Sequence, residues 1–408
     1  MRMLSAGLLA AVLAAPVAAH AFSQCEVTAI GGAGAAVTEE AANPVISGSW
    51  AYAGYTKGSN VYVVAASDYG ATLGKPQLIS RQKGKASKIR LAAVGDTVYA
   101  VWMDITRDRL MFARNLRNGA AGAWKHPVSL GHLKPNLPQI SADGENVHIV
   151  FQSARGNAAV VSSNDGGRTF GAPIELGAAF GELVVASRGK DVYVSWEGPR
   201  SLPHIIAFFG ASHDDGASFD VKPLSDNGQR NAREPILSIN QDTGRVSLVW
   251  REDVPIQGVY LQSNDRAKTW SAPIAIDDPA RQFMVQDAGD HIYITYLKRL
   301  QIDGVYDWQV FETDSTDGGK TFPMKRDMSG PTGVNQIVGD NSRPVPWAQR
   351  GEVRVTGVSA DGVRIWSGRR GNFNKPVFLG AGLLASSQGR VAAWQSDNVV
   401  NFAFCHGD

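Results

Sequence analysis

Cysteine, clustered histidine and long basic runs are scarce in this chain of 408 residues. It has two cysteines and eight histidines, and no two histidines have the spacing of metal ligands. Because zinc sites need several such ligands at short spacing, we expect no metal site and no cofactor. The net charge is only +2 and no basic run exceeds a few residues, which gives no support to nucleic-acid binding.

A long apolar run is also missing after the first 21 residues. In that segment Arg2 precedes MLSAGLLAAVLAAPVAA, an apolar stretch that ends in small residues. The pattern is typical of a secretory signal peptide cleaved after Ala19 or Ala21, and it is too short for a membrane span. We predict a signal peptide at residues 1–21 and one exported domain, periplasmic or secreted, at residues 22–408. We expect a monomer with no transmembrane segment.

The two cysteines, Cys25 and Cys405, lie near the two ends of the mature chain. In an oxidising compartment this favours a disulfide between them, with two free thiols as the alternative. Termini that must meet indicate a chain that closes on itself.

A motif of the form Ser-x-Asp-x-Gly-x-Thr/Ser-aromatic recurs along the chain. Good copies are SSNDGGRTF, SHDDGASF, SNDRAKTW and STDGGKTF, and ASDYGATL is a weaker one. The aspartates of the five copies are Asp68, Asp165, Asp214, Asp265 and Asp317. From Asp165 onward they are 49, 51 and 52 residues apart, and Asp68 comes 97 residues earlier. A period near fifty indicates a repeated supersecondary unit.

A second repeated pattern predicts the strands of this unit. In eight segments a turn residue is followed by alternating β-branched and aromatic residues, as in DTVYAVW, KDVYVSW and GRVSLVW. Between Pro135 and Leu176 four strand-like segments surround one Asp motif, which is typical of a four-stranded propeller blade. We predict an all-β propeller of eight blades, with seven as the alternative. The segment from Cys25 to Ile30 would supply the last outer strand, so the disulfide would close the ring.

The Asp motifs fall between the third and fourth strands of the predicted blades. The carboxylate can accept backbone N–H bonds across a turn, glycine supplies a positive φ, and the aromatic ring can pack between sheets. The four good copies resemble the Asp box, or BNR repeat, of sialidases and related propellers. The resemblance implies that these aspartates shape the fold on the side away from any active site.

The opposite face collects the loops between blades and the loops between second and third strands. These loops are rich in arginine, whose planar guanidinium binds a carboxylate through two parallel hydrogen bonds. The candidate ligand-binding residues are Arg90, Arg233, Arg281 and Arg343. We therefore predict that this face binds an anionic small molecule, an acidic glycan or an exported protein. A solvated rim on which arginines pair with nearby acids is the alternative.

The resemblance to sialidases also implies a catalytic hypothesis, an exo-sialidase-like glycoside hydrolase. Sialidases use three arginines on the substrate carboxylate, a tyrosine nucleophile with a glutamate partner, and an aspartate acid/base; they are an exception among glycosidases in using tyrosine. Here Tyr306 would be the nucleophile, Glu197 or Glu252 its partner, and Asp104 the acid/base. The Arg-Ile-Pro signature of sialidases is absent from the first blade, and AREPIL in the fifth is its nearest counterpart.

A third hypothesis depends on processing. If cleavage follows Ala19, His20 becomes the first residue, and its amine and imidazole would together chelate copper.

Overall fold

The computed structural model describes residues 22–31, 35–36, 44–68, 72–80, 84–201, 204–225, 230–302, 304–329, 343–349, 352–359, 362–369, 372–381, 383–388, 391–396 and 399–407. The predicted signal peptide, with His20, lies outside the described residues, so copper binding stays a prediction. No helix within these ranges is long and apolar enough to cross a membrane.

The first half of the chain forms two leading strands and four blades. The leading strands are β1 (Phe22–Gly31) and β2 (Ala35–Ala36). Blade 1 contains β3 (Val45–Ser47), β4 (Trp50–Lys57), β5 (Asn60–Ser67), β6 (Thr72–Leu73) and β7 (Gln77–Leu78). Blade 2 contains β8 (Ala86–Val94), β9 (Thr97–Asp104), β10 (Arg109–Asn115) and β11 (Val128–Ser129). Blade 3 contains β12 (Asn136–Asp143), β13 (Asn146–Gln152), β14 (Asn157–Ser163) and β15 (Ile174–Ala178). Blade 4 contains β16 (Leu183–Arg188), β17 (Asp191–Ser201), β18 (His204–Ser212) and β19 (Asp220–Pro223).

The second half forms the remaining blades. Blade 5 contains β20 (Ala232–Ile239), β21 (Val246–Asp253), β22 (Ile256–Ser263) and β23 (Ile274–Ala275). Blade 6 contains β24 (Ala280–Ala288), β25 (His291–Ile302), β26 (Val305–Ser315) and β27 (Met324–Asp327). Blade 7 contains β28 (Val345–Gln349), β29 (Glu352–Ser359), β30 (Gly362–Arg369), β31 (Asn372–Phe373) and β32 (Val377–Gly380). Blade 8 contains β33 (Leu383–Gln388), β34 (Val391–Ser396) and β35 (Val399–Gly407), completed by β1.

The eight sheets confirm the predicted eight-blade propeller. The first three strands of each blade pair antiparallel in succession. In blade 1 both β6 and β7 pair with β5, and in blade 7 both β31 and β32 pair with β30. The strand β2 adds a short edge to blade 1 by pairing with β4. The ring closes in blade 8, where β1 from the N-terminal end pairs with β35 from the C-terminal end. Cys25 and Cys405 lie directly opposite each other in this pair and form the predicted disulfide.

The core lies between neighbouring blades. Second strands are buried on both faces because each packs between two adjacent sheets, and all but the first residue of β9 are buried. The aromatic residue near the end of these strands is almost fully enclosed in several blades, as in Trp102, Trp196, Trp250 and Trp394. Between blades 2 and 3, Val101 and Phe112 pack against Ile149, which shows how one sheet supports the next.

The Asp motifs form turns whose hydrogen bonds are internal. In the turn after β14, the Ser163 hydroxyl donates to Asp165 Oδ1 at 2.8 Å and accepts the Gly167 N–H at 2.9 Å. Thr169 donates its backbone N–H to Oδ1 and its hydroxyl to Oδ2, at 2.9 and 2.7 Å. These bonds, led by the Thr169 hydroxyl, hold the pKa of Asp165 well below its usual range.

The same turn recurs around Asp214, Asp265 and Asp317, where a serine two residues earlier and a Ser or Thr four residues later bond the carboxylate. The weaker copy at Asp68 has longer bonds, 3.2 Å to each of two hydroxyls. The terminal aromatic of a turn packs edge-on against a ring of the preceding blade, as Phe322 does on Tyr260 at 4.9 Å. The turn therefore tethers consecutive blades to each other.

Candidate functional site

The first strands of four blades are distorted near their N-terminal ends, on the face opposite the Asp turns. Each breaks register with the second strand at a β-bulge, and a non-glycine residue there has positive φ. These residues are Lys88, Leu137, Glu234 and Gln282, with φ between 50° and 55°. Such a backbone costs about 1–3 kcal/mol per residue and clusters at functional sites, because a bulge redirects a side chain.

Strand register identifies the same position in blades 4 and 7. In blade 5, Ile236 pairs with the residue before Trp250, and Glu234 lies two residues before Ile236. The matching pairs place Glu182 two residues before Val184 in blade 4, and Arg343 two residues before Val345 in blade 7. The six equivalent residues, which we call the axial ring, are Lys88, Leu137, Glu182, Glu234, Gln282 and Arg343.

A repeated hydrogen bond supports this equivalence. The Ser195 hydroxyl of blade 4 donates to the carbonyl of Pro235 in blade 5 at 2.9 Å. The Thr295 hydroxyl of blade 6 donates to the carbonyl of Pro344 in blade 7 at 2.5 Å. Each proline directly follows an axial-ring residue, so the two inner strands enter their blades in the same way.

Ion pairs cross the axis of the propeller within this ring. Arg343 of blade 7 pairs through Nη1 with Glu182 of blade 4 and through Nη2 with Glu234 of blade 5, at 3.3 Å from Oε2. Blade 6 lies between blades 5 and 7 in the ring order, so these contacts bypass it. The three side chains retain only 13–27% of their exposure. They form the floor of the arginine-bearing face.

Two arginines of blade 5 extend this group of ion pairs. Arg251 Nη2 lies 3.8 Å from Glu234 Oε1 and 3.3 Å from Asp253 Oδ1. Arg233 Nε donates to the other oxygen of Asp253 at 3.0 Å. Three arginines and three carboxylates therefore meet where blades 4, 5 and 7 face the axis.

Glu197 of β17 lies beside this cluster and is buried. Its Oε2 accepts the backbone N–H of Glu234 at 3.1 Å. Its Oε1 lies against Gly181, where an added Cβ would be 2.6 Å away and where φ is +141°, so only glycine fits. Burial raises the pKa of Glu197, opposed by its hydrogen bond and by Arg233. A carboxyl with a raised pKa can hold a proton for acid catalysis.

The remaining predicted site residues on blades 5 and 6 each make contacts of their own, apart from the cluster of arginines and carboxylates. Glu252 is buried and accepts hydrogen bonds from Arg230 at 2.8 Å and Gln257 at 3.0 Å. Arg281 stacks on the ring of Trp308, 4.3 Å from its centroid. Tyr306 is 48% exposed, and the Arg299 guanidinium lies 3.7 Å from its ring centroid.

Blade 2 carries the other two candidates. Arg90 is completely buried in β8, at the position of Ile236 rather than on the axial ring, and donates to the carbonyl of Ile89 at 3.0 Å. Asp104 is buried and accepts from the Arg107 side chain at 3.1 Å. Blades 2 and 6 are four places apart in a ring of eight, so Asp104 and Tyr306 lie on opposite sides. The structure brings together Arg233, Arg343 and Glu197.

The chain shares its fold with polysaccharide lyases. A PL25 ulvan lyase matches with a TM-score of 0.52 at 12% sequence identity, over 86% of this chain and 97% of that one. The polysaccharide lyase Uly1 matches with a TM-score of 0.52 at 10% identity, over 91% of each chain. A PL25 ulvan lyase bound to -[GlcA(1-4)Rha3S]- gives 0.50 at 11% identity, over 86% and 97%. No protein-family model and no curated protein matches the chain.

Two tall hairpins flank blade 5 on the arginine-bearing face. The second strands of blades 4 and 6 continue five and six residues past Trp196 and Tyr296, whereas β21 continues three residues past Trp250. Their ladders stay paired to Ser201↔His204 and Ile302↔Val305. At about 3.3 Å per residue, these hairpins extend roughly 7–10 Å beyond that of blade 5. Blade 5 is therefore the floor of a cleft between two walls.

A cavity of about 990 Å³ opens on the other face, away from Arg233, Arg251 and Arg343, and Arg369 is among its lining residues. The hairpins between first and second strands of blades 1, 5, 6 and 7 line it, with Asp242, Asp290, Trp347 and Gln349 among its residues. Within the described ranges, no group of three or more His, Cys, Asp or Glu side chains is arranged to hold a metal ion.

Glu182 and Glu234 are site residues that were not predicted from the sequence. Both lie on the axial ring, and Glu234 is next to Arg233, which was predicted. A usable signal was the proline that follows Glu234 and Arg343, since a residue before proline is held in an extended or turn conformation at a strand entrance.

Proposed function

We propose that this protein binds an acidic glycan through the arginine cluster at the axis, as a divergent relative of the sialidase-like Asp-box propellers. One observation carries the proposal: Arg251 and Arg343, from two different blades, form ion pairs with the same carboxylate, that of Glu234, at 3.8 and 3.3 Å. Guanidinium groups that are positioned to hold side-chain carboxylates can also bind the carboxylate of a uronate or sialate group.

The cleft over blade 5 supports a glycan chain rather than a compact anion. Its walls rise on either side of Arg233 and Asp253, and an extended ligand lying along this floor would bring its acidic groups to the axis. One of the ulvan lyases compared above holds a glucuronate-containing oligosaccharide. Uronate oligomers are therefore the first ligands to test, with small anions and exported proteins as the other ligand classes.

The proposal also covers the compartment in which the protein acts and its oligomeric state. A disulfide between Cys25 and Cys405 fits an oxidising compartment, because cytosolic thiols are kept reduced. Together with the signal-peptide pattern, this supports an exported protein of the periplasm or the medium. We propose that it acts there as a monomer.

The decisive experiment is titration of residues 22–408 with a hexamer of glucuronate, followed by calorimetry. Charge-assisted hydrogen bonds contribute about 1.5–3 kcal/mol, so Arg343→Gln should weaken binding by about 10- to 100-fold. Arg168→Gln is the matched control, because it removes one exposed arginine on the Asp-turn face. Equal affinity of the two variants, or equal binding of a neutral glucan hexamer by the wild type, would refute the proposal.

Hydrolysis of a sialoside is a second candidate, favoured by the raised pKa of the buried Glu197 beside Arg233. The test is release of the aglycone from an aryl sialoside, with Glu197→Gln, Arg233→Ala and Tyr306→Phe as variants. A hydrolase of this kind should lose turnover in Tyr306→Phe while keeping its substrate affinity, since the hydroxyl acts in the chemical step. Absence of turnover at high enzyme concentration would leave the binding function alone.

A further inference from the structure

We infer that Glu182 is an internal competitor for the ligand at Arg343. In the ligand-free protein its carboxylate occupies one side of the guanidinium, and an acidic ligand must displace it to bind there. The inference rests on the proposed function, because it assigns the regulation of that same site.

The two carboxylates on Arg343 are held very differently. Glu234 lies within β20 at the bulge, its backbone N–H bonds Glu197, and its side chain also faces Arg251. Glu182 lies before the first residue of β16, on the link from blade 3, and it directly follows Gly181 with φ of +141°. Withdrawal of Glu182 therefore breaks no strand pairing, whereas withdrawal of Glu234 would disturb an inner strand.

The charge balance of the cluster explains why a bound ligand would displace Glu182. The cluster holds the cations Arg233, Arg251 and Arg343 against the anions Glu182, Glu234 and Asp253. A ligand carboxylate that joined this set would add a like charge to a partly buried group, which is unfavourable at short range. Departure of Glu182 restores the balance and exposes the Nη1 side of Arg343, while Glu234 keeps the Nη2 side in place.

A tethered carboxylate is an effective competitor because it cannot diffuse away. Groups joined by a short chain meet at effective concentrations on the order of millimolar. A weakly bound uronate must exceed that level before it replaces Glu182. Removing the charge of Glu182 should therefore tighten binding of an acidic ligand, the opposite of what is expected for a residue that contacts the sugar.

The experiment compares Glu182→Gln with Glu175→Gln in titrations with the glucuronate hexamer. Glu175 lies on the outer strand of blade 3, bonded to Ser153, so its change removes the same charge away from Arg343. We expect Glu182→Gln to bind at least tenfold more tightly than Glu175→Gln. The double variant Glu182→Gln/Arg343→Gln should lose this gain, because the gain acts through Arg343.

A second readout needs no glycan. Phenylglyoxal modifies accessible arginines, and peptide mass spectrometry reports the rate at Arg343. We expect faster modification in Glu182→Gln than in Glu175→Gln, at equal melting temperatures. Faster modification without tighter binding would show that Glu182 shields Arg343 but does not compete, and an unchanged rate would show that it does not occupy Arg343; either overturns the inference.

The outcomes also separate the inference from the proposed function. If the wild type binds the hexamer and Glu182→Gln binds no better, only the inference fails. If neither protein binds the hexamer although Arg343 is modified faster in Glu182→Gln, the proposed function and the competition both fail. Tighter binding by Glu182→Gln that disappears in the double variant supports both.

Discussion

The disulfide between Cys25 and Cys405 should stabilise the whole propeller, because it closes a loop with a sequence separation of 380. In the chain-entropy model, closing a loop of that length lowers the conformational entropy of the unfolded chain by about 20 cal/mol/K. This stabilises the folded protein by about 6 kcal/mol at 25 °C. Unfolding entropies near 2.1 cal/mol/K per residue, over roughly 390 residues, convert this into a fall in melting temperature of about 7 °C. Replacement of both cysteines by serine is the perturbation.

The assay is differential scanning calorimetry of the oxidised wild type, the reduced wild type and the double serine variant. We expect the reduced protein and the variant to melt together, several degrees below the oxidised protein. The residues of β1 after Cys25 are largely exposed, so little apolar burial replaces the lost crosslink. A difference below about 1 °C between oxidised protein and variant would refute the reasoning, since it would mean that the crosslink does not restrict the unfolded chain to the extent that the model requires.

Two further predictions concern the scaffold. Burial lowers the pKa of His148 to about 4. The neutral imidazole therefore gives its full contribution to folding stability above about pH 6.5, and this contribution is lost as pH falls to 4. That loss is at most about 3 kcal/mol, and denaturant unfolding at several pH values should show a flatter profile for His148→Gln. Asp317→Ala removes the bonds of one Asp turn; it should lower the melting temperature and leave glucuronate affinity unchanged. Loss of affinity would contradict the structural role of that turn.

The fold was accessible from the sequence because the chain carries two repeated patterns, the aromatic strand in eight segments and the Asp motif in five. The Asp motif marks the third turn and the aromatic strand marks the second strand, and both periods agree. The closure of the ring could be predicted because the chain has only two cysteines and they lie near its opposite ends. The position of β1 as outer strand of blade 8 follows from the three-stranded remainder at the C-terminal end.

The site was accessible only in part, because a β-bulge leaves no clear mark in a sequence. Arg233 and Arg343 were found as arginines before inner strands. Arg90 has the same description, yet its position two residues after the bulge points it into the protein. Glu182 was missed because its partner, Arg343, lies 161 residues away. Ligand contact by Arg90 stays a prediction.

The axial ring places side chains of very different chemistry at one repeated position of the fold. Reading from blade 2 to blade 7, it spells Lys, Leu, Glu, Glu, Gln and Arg at one repeated backbone position. Leu137 packs in the core between blades 3 and 4 and Gln282 is buried, whereas Lys88, Glu182, Glu234 and Arg343 are only partly buried. Substitutions at those four positions should therefore change the charge that faces the axis while leaving the core between the blades in place.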